Sequence, residues 1–468
     1  MHPDLLVRLE AAVGATGLVS GEDAQAPYLR DWLGKWQGRS AVVVRPRDTA
    51  QTAAVIRICH ETHTPVVTQG GNTGMSGGAT PDTSGAQIVL STTRLKTVRA
   101  IDPLNNSITV DAGVLLADIQ RSAEEAGRFF PLSLGSEGSC TIGGNLATNA
   151  GGIAVLRYGN TRELALGLEV VLPDGRVWNG LRALRKDNTG YDLRDLFIGS
   201  EGTLGVITGA VLKLFPRPVA RATAWVGAGS LDALVQALSQ LRSLCAERLV
   251  AFEMLSDASL QMILQHVTDV RAPLTGTYAF HALVELADTQ PGGLSELLEC
   301  ALGEALAQGL LGDVVVSSSG AQSSAFWKIR EGVSQAQLRA GKAVKHDIAL
   351  PISTIAPFCR QAEAAVRGVL PNARIINFGH LGDGNLHYNV LLPHDVGAQE
   401  LARATAELNR CVHDLVTAMH GSISAEHGVG QLRRDELHHY KDPVELDLMM
   451  RLKRMLDPNQ IMNPGKLL

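Results

Sequence analysis

The stretch Pro65-Val66-Val67-Thr68-Gln69-Gly70-Gly71-Asn72-Thr73-Gly74-Met75-Ser76-Gly77-Gly78 decides how the first half of this chain reads. A β-branched run leads straight into a glycine-rich loop. Backbone N–H groups in such a loop can converge on a phosphate or pyrophosphate without any cation, because glycine tolerates positive φ and leaves no side chain in the way. The spacing is neither GxxxxGK[ST] nor GxGxxG, which disfavours an ATP-hydrolysing P-loop and an ordinary Rossmann fingerprint. On its own the loop is as readily a plain surface turn.

Two further clusters change that balance. One reads Leu134-Gly135-Ser136-Glu137-Gly138-Ser139-Cys140-Thr141-Ile142-Gly143-Gly144-Asn145-Leu146-Ala147-Thr148-Asn149-Ala150-Gly151-Gly152, and the other Ile198-Gly199-Ser200-Glu201-Gly202-Thr203-Leu204-Gly205-Val206-Ile207-Thr208. Three such loops in one α/β region suggest a large ligand with several phosphates and a ring system, contacted mainly by backbone. Flavin adenine dinucleotide (FAD) fits that description.

The composition agrees. Glycine supplies 48 of 468 residues, above the usual ~7%. Residues 64–81 and 138–156 carry no charge and are long enough to span a bilayer, but five glycines in each argue against a membrane helix. The formal charge of −5 disfavours nucleic acid or an anionic membrane as the main partner. Met1-His2-Pro3-Asp4-Leu5-Leu6 shows no basic region followed by an apolar run, so a cytoplasmic location is expected. Six widely spaced cysteines form no CxxC pair or disulfide framework.

At roughly 150 residues per domain the length suggests about three domains. From residue 41 to 216 short β-branched runs alternate with helical periods, among them a helix over 49–60 and strands at 65–68, 87–90, 107–110 and 168–172. Pro216-Arg217-Pro218 marks a boundary. Longer helices follow at 231–247 and 294–310, between strands at 278–285 and 313–317. A last helix over 399–420 runs into a glycine-rich loop and a turn-rich tail.

The three loops, with Arg30-Asp31-Trp32 upstream and Arg185-Lys186-Asp187-Asn188-Thr189-Gly190-Tyr191-Asp192 before the third, resemble the FAD domain of the vanillyl-alcohol oxidase superfamily. The second-half motifs resemble the D-2-hydroxyacid dehydrogenases, the D-2-hydroxyglutarate enzymes above all. The resemblance implies an α+β fold: a two-subdomain FAD-binding domain over 1–217, an α/β substrate-binding cap over 218–420, and a small C-terminal helical segment over 421–468 that completes the active site. It places FAD on Gln69 to Met75, on Leu134, Gly135, Ser136, Gly138, Ser139 and Thr141 to Asn145, and on Glu201, Gly202, Gly205, Val206, Ile207 and Asn463. No histidine lies in the loop 70–78 and Cys140 reads as a packed residue, so a non-covalent flavin is expected.

Histidine gives the second constellation. In Asn377-Phe378-Gly379-His380-Leu381-Gly382-Asp383-Gly384-Asn385-Leu386-His387-Tyr388-Asn389-Val390, a Gly-Asp-Gly-Asn turn can fold His380 back towards His387, and His387 and Asn389 share a strand face. With Glu426 the set becomes two imidazoles and one carboxylate, a common catalytic zinc shell. Manganese or cobalt would also suit it. In the resembling dehydrogenases the matching residues bind a divalent metal, and the residue matching His427 is the catalytic base. His413 and His420 read as packing or surface residues.

The third constellation is cationic. Arg330 and Ser334 fall one helical turn apart on one face, where a guanidinium and a hydroxyl can hold a carboxylate, and Lys345 adds a second positive point. The resemblance makes all three substrate-carboxylate contacts, with Asn389 beside them; Ser334 stands where threonine is expected, which puts fine selectivity in doubt.

The expected reaction is oxidation of a small D-2-hydroxy acid, a dicarboxylate such as D-2-hydroxyglutarate, by hydride transfer to the flavin. Electrons would pass to an electron-transfer flavoprotein or a quinone-linked carrier, and a homodimer is among the states expected. Two alternatives stay open at this stage: D-lactate, D-malate or glycolate as substrate, and, from a different class, a zinc hydrolase with a phosphorylated ligand on the glycine loops.

Overall fold

The computed structural model describes residues 4–468. Met1, His2 and Pro3, which belong to the start considered above, lie outside the described residues. The chain divides into two compact units: one comprises Met1–Gly152, Tyr158–Arg217 and Glu426–Leu468, the other Ile153–Arg157 and Pro218–Ala425.

The first unit contains two main sheets. Strands β1 (Leu18–Val19), β2 (Val43–Val44), β3 (Val66–Gln69) and β4 (Ile88–Ser91) lie in the order β1-β2-β4-β3, with β2 and β3 both parallel to β4. Val66, Val67, Ile88, Val89 and Leu90 are fully buried, as expected of strands covered on both faces. The helix Thr49–Glu61 joins β2 to β3, and the Asp48 side chain caps it by accepting the Gln51 N–H at 2.7 Å. The first glycine loop leaves the carboxyl end of β3, where open α/β sheets bind ligands.

The second sheet is antiparallel. It is built from β5 (Val98–Asp102), β6 (Ser107–Asp111), β8 (Ala165–Val171), β9 (Val177–Gly180) and β10 (Val206–Lys213), in the order β5-β6-β10-β8-β9. Beside it, β7 (Arg128–Phe129) pairs with β11 (Phe215–Pro216). Ile108, Val110, Leu168, Val170, Ala210 and Leu212 form its core with Leu116 and Ile119 of the helix Leu116–Glu125. The second glycine loop folds around the short helix Ile142–Ala147, and the third enters β10. Neither uncharged stretch forms a long helix, and among the described residues no helix is long and apolar enough to cross a membrane.

The second unit is built on one eight-stranded sheet. Its strands are β12 (Ala220–Ala228), β13 (Leu249–Ser256), β14 (Phe280–Asp288), β15 (Asp313–Val316), β16 (Lys342–Val344), β17 (Asp347–Ala349), β18 (Arg374–His380) and β19 (Asn385–Leu392). The order is β15-β12-β14-β13-β18-β19-β16, with β17 also on β19 and the pairings antiparallel. Helices Leu231–Cys245, Leu294–Ala307, Ile355–Val369 and Ala398–Ala418 bury their apolar stripes in one core, and Asp257–His266, Gly320–Glu331 and Val333–Ala340 in a second. Alternation of side chains along each strand lets one sheet serve both cores.

One local expectation needs correction. Arg330 and Ser334 do not share one continuous helix, because Gly320–Glu331 ends before Gly332 and Val333–Ala340 begins after it. A Cβ on Gly332 would come within 3.2 Å of the Val267 side chain, so the close packing suits glycine there. Ser334 is exposed on the second helix, while Arg330 is half-buried at the end of the first.

Candidate active site

Within the first unit the three glycine loops border one cavity of about 940 Å³, open solvent at its mouth included. Gly70, Gly71, Asn72, Thr73 and Gly74 line it from the first loop, Thr141, Gly143, Gly144 and Asn145 from the second, and Glu201, Gly202, Gly205 and Ile207 from the third. Gln69, Met75, Leu134, Gly135, Ser136, Gly138, Ser139, Ile142, Val206 and Asn463 are not part of this lining. Some of these brace it from behind. Gln69 donates to the Tyr28 and Ala79 carbonyls, each at 2.9 Å, and Asn463 donates to the carbonyls of Gly78 at 3.0 Å and Glu201 at 2.7 Å.

The cavity suits a dinucleotide held by backbone. A Cβ on Gly71 would sit 2.0 Å from the Ser139 carbonyl oxygen and one on Gly70 2.3 Å from Thr141 Oγ1, so the first two loops meet without room for side chains. Gly74 faces nothing within 4 Å. The buried hydroxyls of Thr68 and Thr141 line the cavity with no hydrogen-bond partner among the described residues, an arrangement that invites a polar ligand. None of the lining residues is lysine or arginine, so N–H groups and hydroxyls would carry a pyrophosphate. These features fit FAD. Cys140 is outside the lining and nearly fully buried, its sulfur accepting the Asn145 amide at 3.6 Å.

His427 lines the same cavity, and all three glycine loops hold its own loop. Ser76 Oγ donates to the carbonyls of His427 at 2.9 Å and Gly428 at 3.1 Å. The Gly152 N–H donates to the Glu426 carboxylate at 3.1 Å. Glu201 accepts the N–H groups of Val429 at 2.7 Å and Gly430 at 2.8 Å. Burial pushes the Glu201 carboxyl above its ordinary range, against the pull of those two N–H groups. Sequence reasoning missed Thr68 and Thr92 in the lining; their one signal was position, Thr68 closing the strand before the first loop and Thr92 following the strand at 87–90.

In the second unit the expected histidine pair forms on a hairpin. β18 and β19 are antiparallel with Phe378 opposite His387, and the rings of His380 and His387 lie 6.0 Å apart. His387 Nδ1 is 3.7 Å from Asp347 Oδ1. His380 Nδ1 donates to Glu253 Oε1 at 2.8 Å; Arg330 Nε donates to Glu253 Oε2 at 2.8 Å, and Arg330 Nη2 forms an ion pair with the same oxygen at 2.7 Å. The Arg330 guanidinium also lies 5.3 Å over the Phe378 ring. Burial opposes ionisation of Glu253, but the charges of His380 and Arg330 prevail and hold its carboxyl below the ordinary range. Glu253 was missed by sequence reasoning, although a lone carboxylate in Leu249-Val250-Ala251-Phe252-Glu253-Met254-Leu255 was the available signal.

The other expected substrate contacts are placed less tellingly. Asn389 accepts the His346 N–H at 3.1 Å and donates to Gln337 at 3.3 Å. Lys345 is half-buried between β16 and β17. His413 is fully buried, its ring edge-on to His346 at 5.5 Å.

The cavity and its histidine loop define a flavin-linked oxidoreductase. Residues 40–180 match the family model described as FAD binding domain, and residues 217–467 the one described as FAD linked oxidases, C-terminal domain. The chain belongs to the FAD-dependent D-2-hydroxyacid dehydrogenases. It is 40% identical over 466 residues to the protein named D-2-hydroxyglutarate dehydrogenase, mitochondrial, of Bos taurus, covering 99% of this chain and 83% of that one. It is 35% identical over 462 residues to the D-2-hydroxyglutarate dehydrogenase of Xanthomonas citri pv. viticola, covering 99% and 96%. Among solved structures, p-cresol methylhydroxylase with substrate bound shares the fold at a TM-score of 0.76 and 17% identity, covering 99% of this chain and 96% of that one. Membership in a flavin family leaves the hydrolase alternative without support.

Proposed function

We propose that this chain oxidises D-2-hydroxyglutarate to 2-oxoglutarate with a divalent metal, and passes the electrons to an external acceptor, an electron-transfer flavoprotein or a quinone-linked carrier. The observation that carries the proposal is His427 in the lining of the cavity that the glycine loops enclose. The names of the relatives support the substrate.

FAD, when bound, supplies the acceptor for the hydride leaving C2. A divalent metal, when bound, supplies positive charge that acidifies the C2 hydroxyl. Its proposed ligands are His380, His387 and Glu426, a donor set suited to Zn²⁺ and also to Mn²⁺ or Co²⁺. His380 supports this assignment: its Nδ1 donates to a buried carboxylate, as metal-binding imidazoles commonly do, which directs Nε2 as the ligand atom. His427 takes the C2 hydroxyl proton, a task suited to an imidazole near neutral pH, while Ser76 and Glu201 fix the loop that carries it. Arg330 and Lys345, with Ser334 and Asn389 contributing polar contacts, hold the distal carboxylate and so select which C2 hydrogen is presented.

Dye-coupled assays of D-2-hydroxyglutarate, D-malate, D-lactate and glycolate, each with its enantiomer where one exists, before and after chelation, test the proposal. Preference for D-2-hydroxyglutarate, loss of turnover on chelation and recovery with added Zn²⁺, Mn²⁺ or Co²⁺ are expected. Equal rates on D-lactate would reject distal carboxylate recognition, and full activity after chelation would reject the metal.

A further inference from the structure

In the middle of β13 a single carboxylate is buried where the neighbouring residues are apolar: Glu253 is 1% exposed. It stands directly opposite His380 in the antiparallel register of β13 and β18, so both side chains leave the same face of the sheet. The helix Gly320–Glu331 packs on that face through Phe326 and Ile329, and brings Arg330 over it. A carboxylate so placed is costly unless its charge is fully paired, and a well-packed apolar residue would often be no less stable there. Its presence needs a reason beyond stability.

The geometry supplies one. Each oxygen of Glu253 serves a different partner: Oε2 accepts the Nε–H of Arg330 and pairs with its Nη2 at 2.7 Å, and Oε1 takes Nδ1 of His380. The planar carboxylate acts as a bracket with one functional group on each arm. On one arm it fixes the edge of Arg330 made by Nε and Nη2, with the guanidinium laid over Phe378, and leaves the Nη1 edge for a ligand. On the other it fixes the tautomer and ring direction of His380. Because a carboxylate is rigid, moving either partner moves the other.

We propose that Glu253 is a positioning residue that sets the spacing between the distal-carboxylate arginine and the metal-binding imidazole, and thereby the chain length of hydroxy acid the enzyme prefers. This rests on the reading of Arg330 and His380 given above. The bracket makes two separate predictions, one for each arm, and neither follows from a purely structural role. Loosening the His380 arm weakens the metal. Loosening the Arg330 arm weakens a substrate with a distal carboxylate but spares one without it.

The test uses the flavin-loaded protein and the isosteric variant Glu253→Gln, which keeps the shape but turns one arm from acceptor to donor. Direct titration with Zn²⁺ or Mn²⁺, read as bound metal after gel filtration, is expected to show affinity about 10- to 100-fold weaker than wild type. At saturating metal, KM for D-2-hydroxyglutarate is expected to rise about tenfold or more while kcat/KM for D-lactate changes little. Glu253→Asp, which retracts the bracket, is expected to change the D-2-hydroxyglutarate to D-malate preference. Wild-type metal affinity with an unchanged KM in Glu253→Gln overturns the proposal, as does an equal loss on both substrates. Should Glu253→Gln fail to fold, Arg330→Lys carries the test: a lysine cannot reproduce the flat guanidinium that bonds Oε2 through Nε and lies over Phe378, so metal affinity should fall although Arg330 is not a ligand, and wild-type affinity there overturns the coupling. The underlying reading fails differently. If His380→Ala leaves metal affinity intact, or Arg330→Ala leaves KM intact, the assignments themselves are wrong whatever the Glu253 variants do.

Discussion

Glu201 and Gly430 stand 229 positions apart in the chain, yet the Gly430 N–H donates to the Glu201 carboxylate at 2.8 Å. The other carboxylate oxygen takes the Val429 N–H at 2.7 Å. Glu201 lines the flavin cavity, and Val429 and Gly430 stand two and three residues after His427. One side chain therefore fixes the third glycine loop to the loop that carries His427.

Replacing Glu201 with glutamine turns one of its two acceptor oxygens into an N–H donor and leaves one loop N–H without its partner, a cost of about 1–3 kcal/mol for a buried unsatisfied group. The purified variant is expected to retain FAD but to reduce it about tenfold or more slowly, in an anaerobic stopped-flow trace with saturating substrate. A wild-type trace would show that the anchor does not position His427.

His427→Ala removes the proposed proton acceptor itself. FAD should stay bound, and flavin reduction should slow by at least about 10²-fold, as is typical when a general base is lost. The flavin spectrum and the reduction rate, measured on one sample, separate loss of cofactor from loss of the base.

The glycines of the first loop divide into two kinds. Gly71→Ala places a Cβ 2.0 Å from the Ser139 carbonyl oxygen, so the two loops cannot close and the purified protein should lack flavin absorbance. Gly74 has open space around it; Gly74→Ala should melt like wild type as apoprotein but bind FAD about tenfold more weakly, equivalent to ~1.4 kcal/mol. Identical behaviour of the two variants would contradict the division.

Lys466 supplies a pH dependence. Burial lowers its pKa from 10.5 to about 8, against the opposing pull of Asp82. The folded state thus releases this proton more readily than the unfolded one. The associated stability is fully present above 10.5 and is lost as pH falls through about 8, a span of roughly 3 kcal/mol. Thermal melts from pH 7 to 10 should show wild type gaining on Lys466→Met as pH rises, whatever the constant offset from packing. Parallel curves would contradict the shift.

Much of this was legible in the chain itself. Glycine clusters after β-branched runs identified the cofactor loops because the chemistry needs bare backbone, and that need is written in residue type. The strands at 65–68 and 87–90 came within a residue of β3 and β4 for a similar reason: buried parallel strands are continuous apolar runs. His380 and His387 were legible because a Gly-Asp-Gly-Asn turn between two strands forces a hairpin. What stayed hidden depends on pairing between distant segments. Nothing near Glu253 in the sequence names Arg330 or His380 as its partners, and nothing near Glu201 names Val429. Gly332 was visible, but nothing local in the sequence says that the helix ends before it and a new one begins after it.

The central claim is a flavin reduced by a D-2-hydroxy acid in the cavity of the three glycine loops. Anaerobic mixing of the purified, metal-loaded protein with D-2-hydroxyglutarate or with its L enantiomer, while following the flavin band near 450 nm, tests it most directly. Rapid bleaching by the D enantiomer and none by the L enantiomer is the predicted result; a protein without the band, or a band that neither enantiomer bleaches, would contradict it.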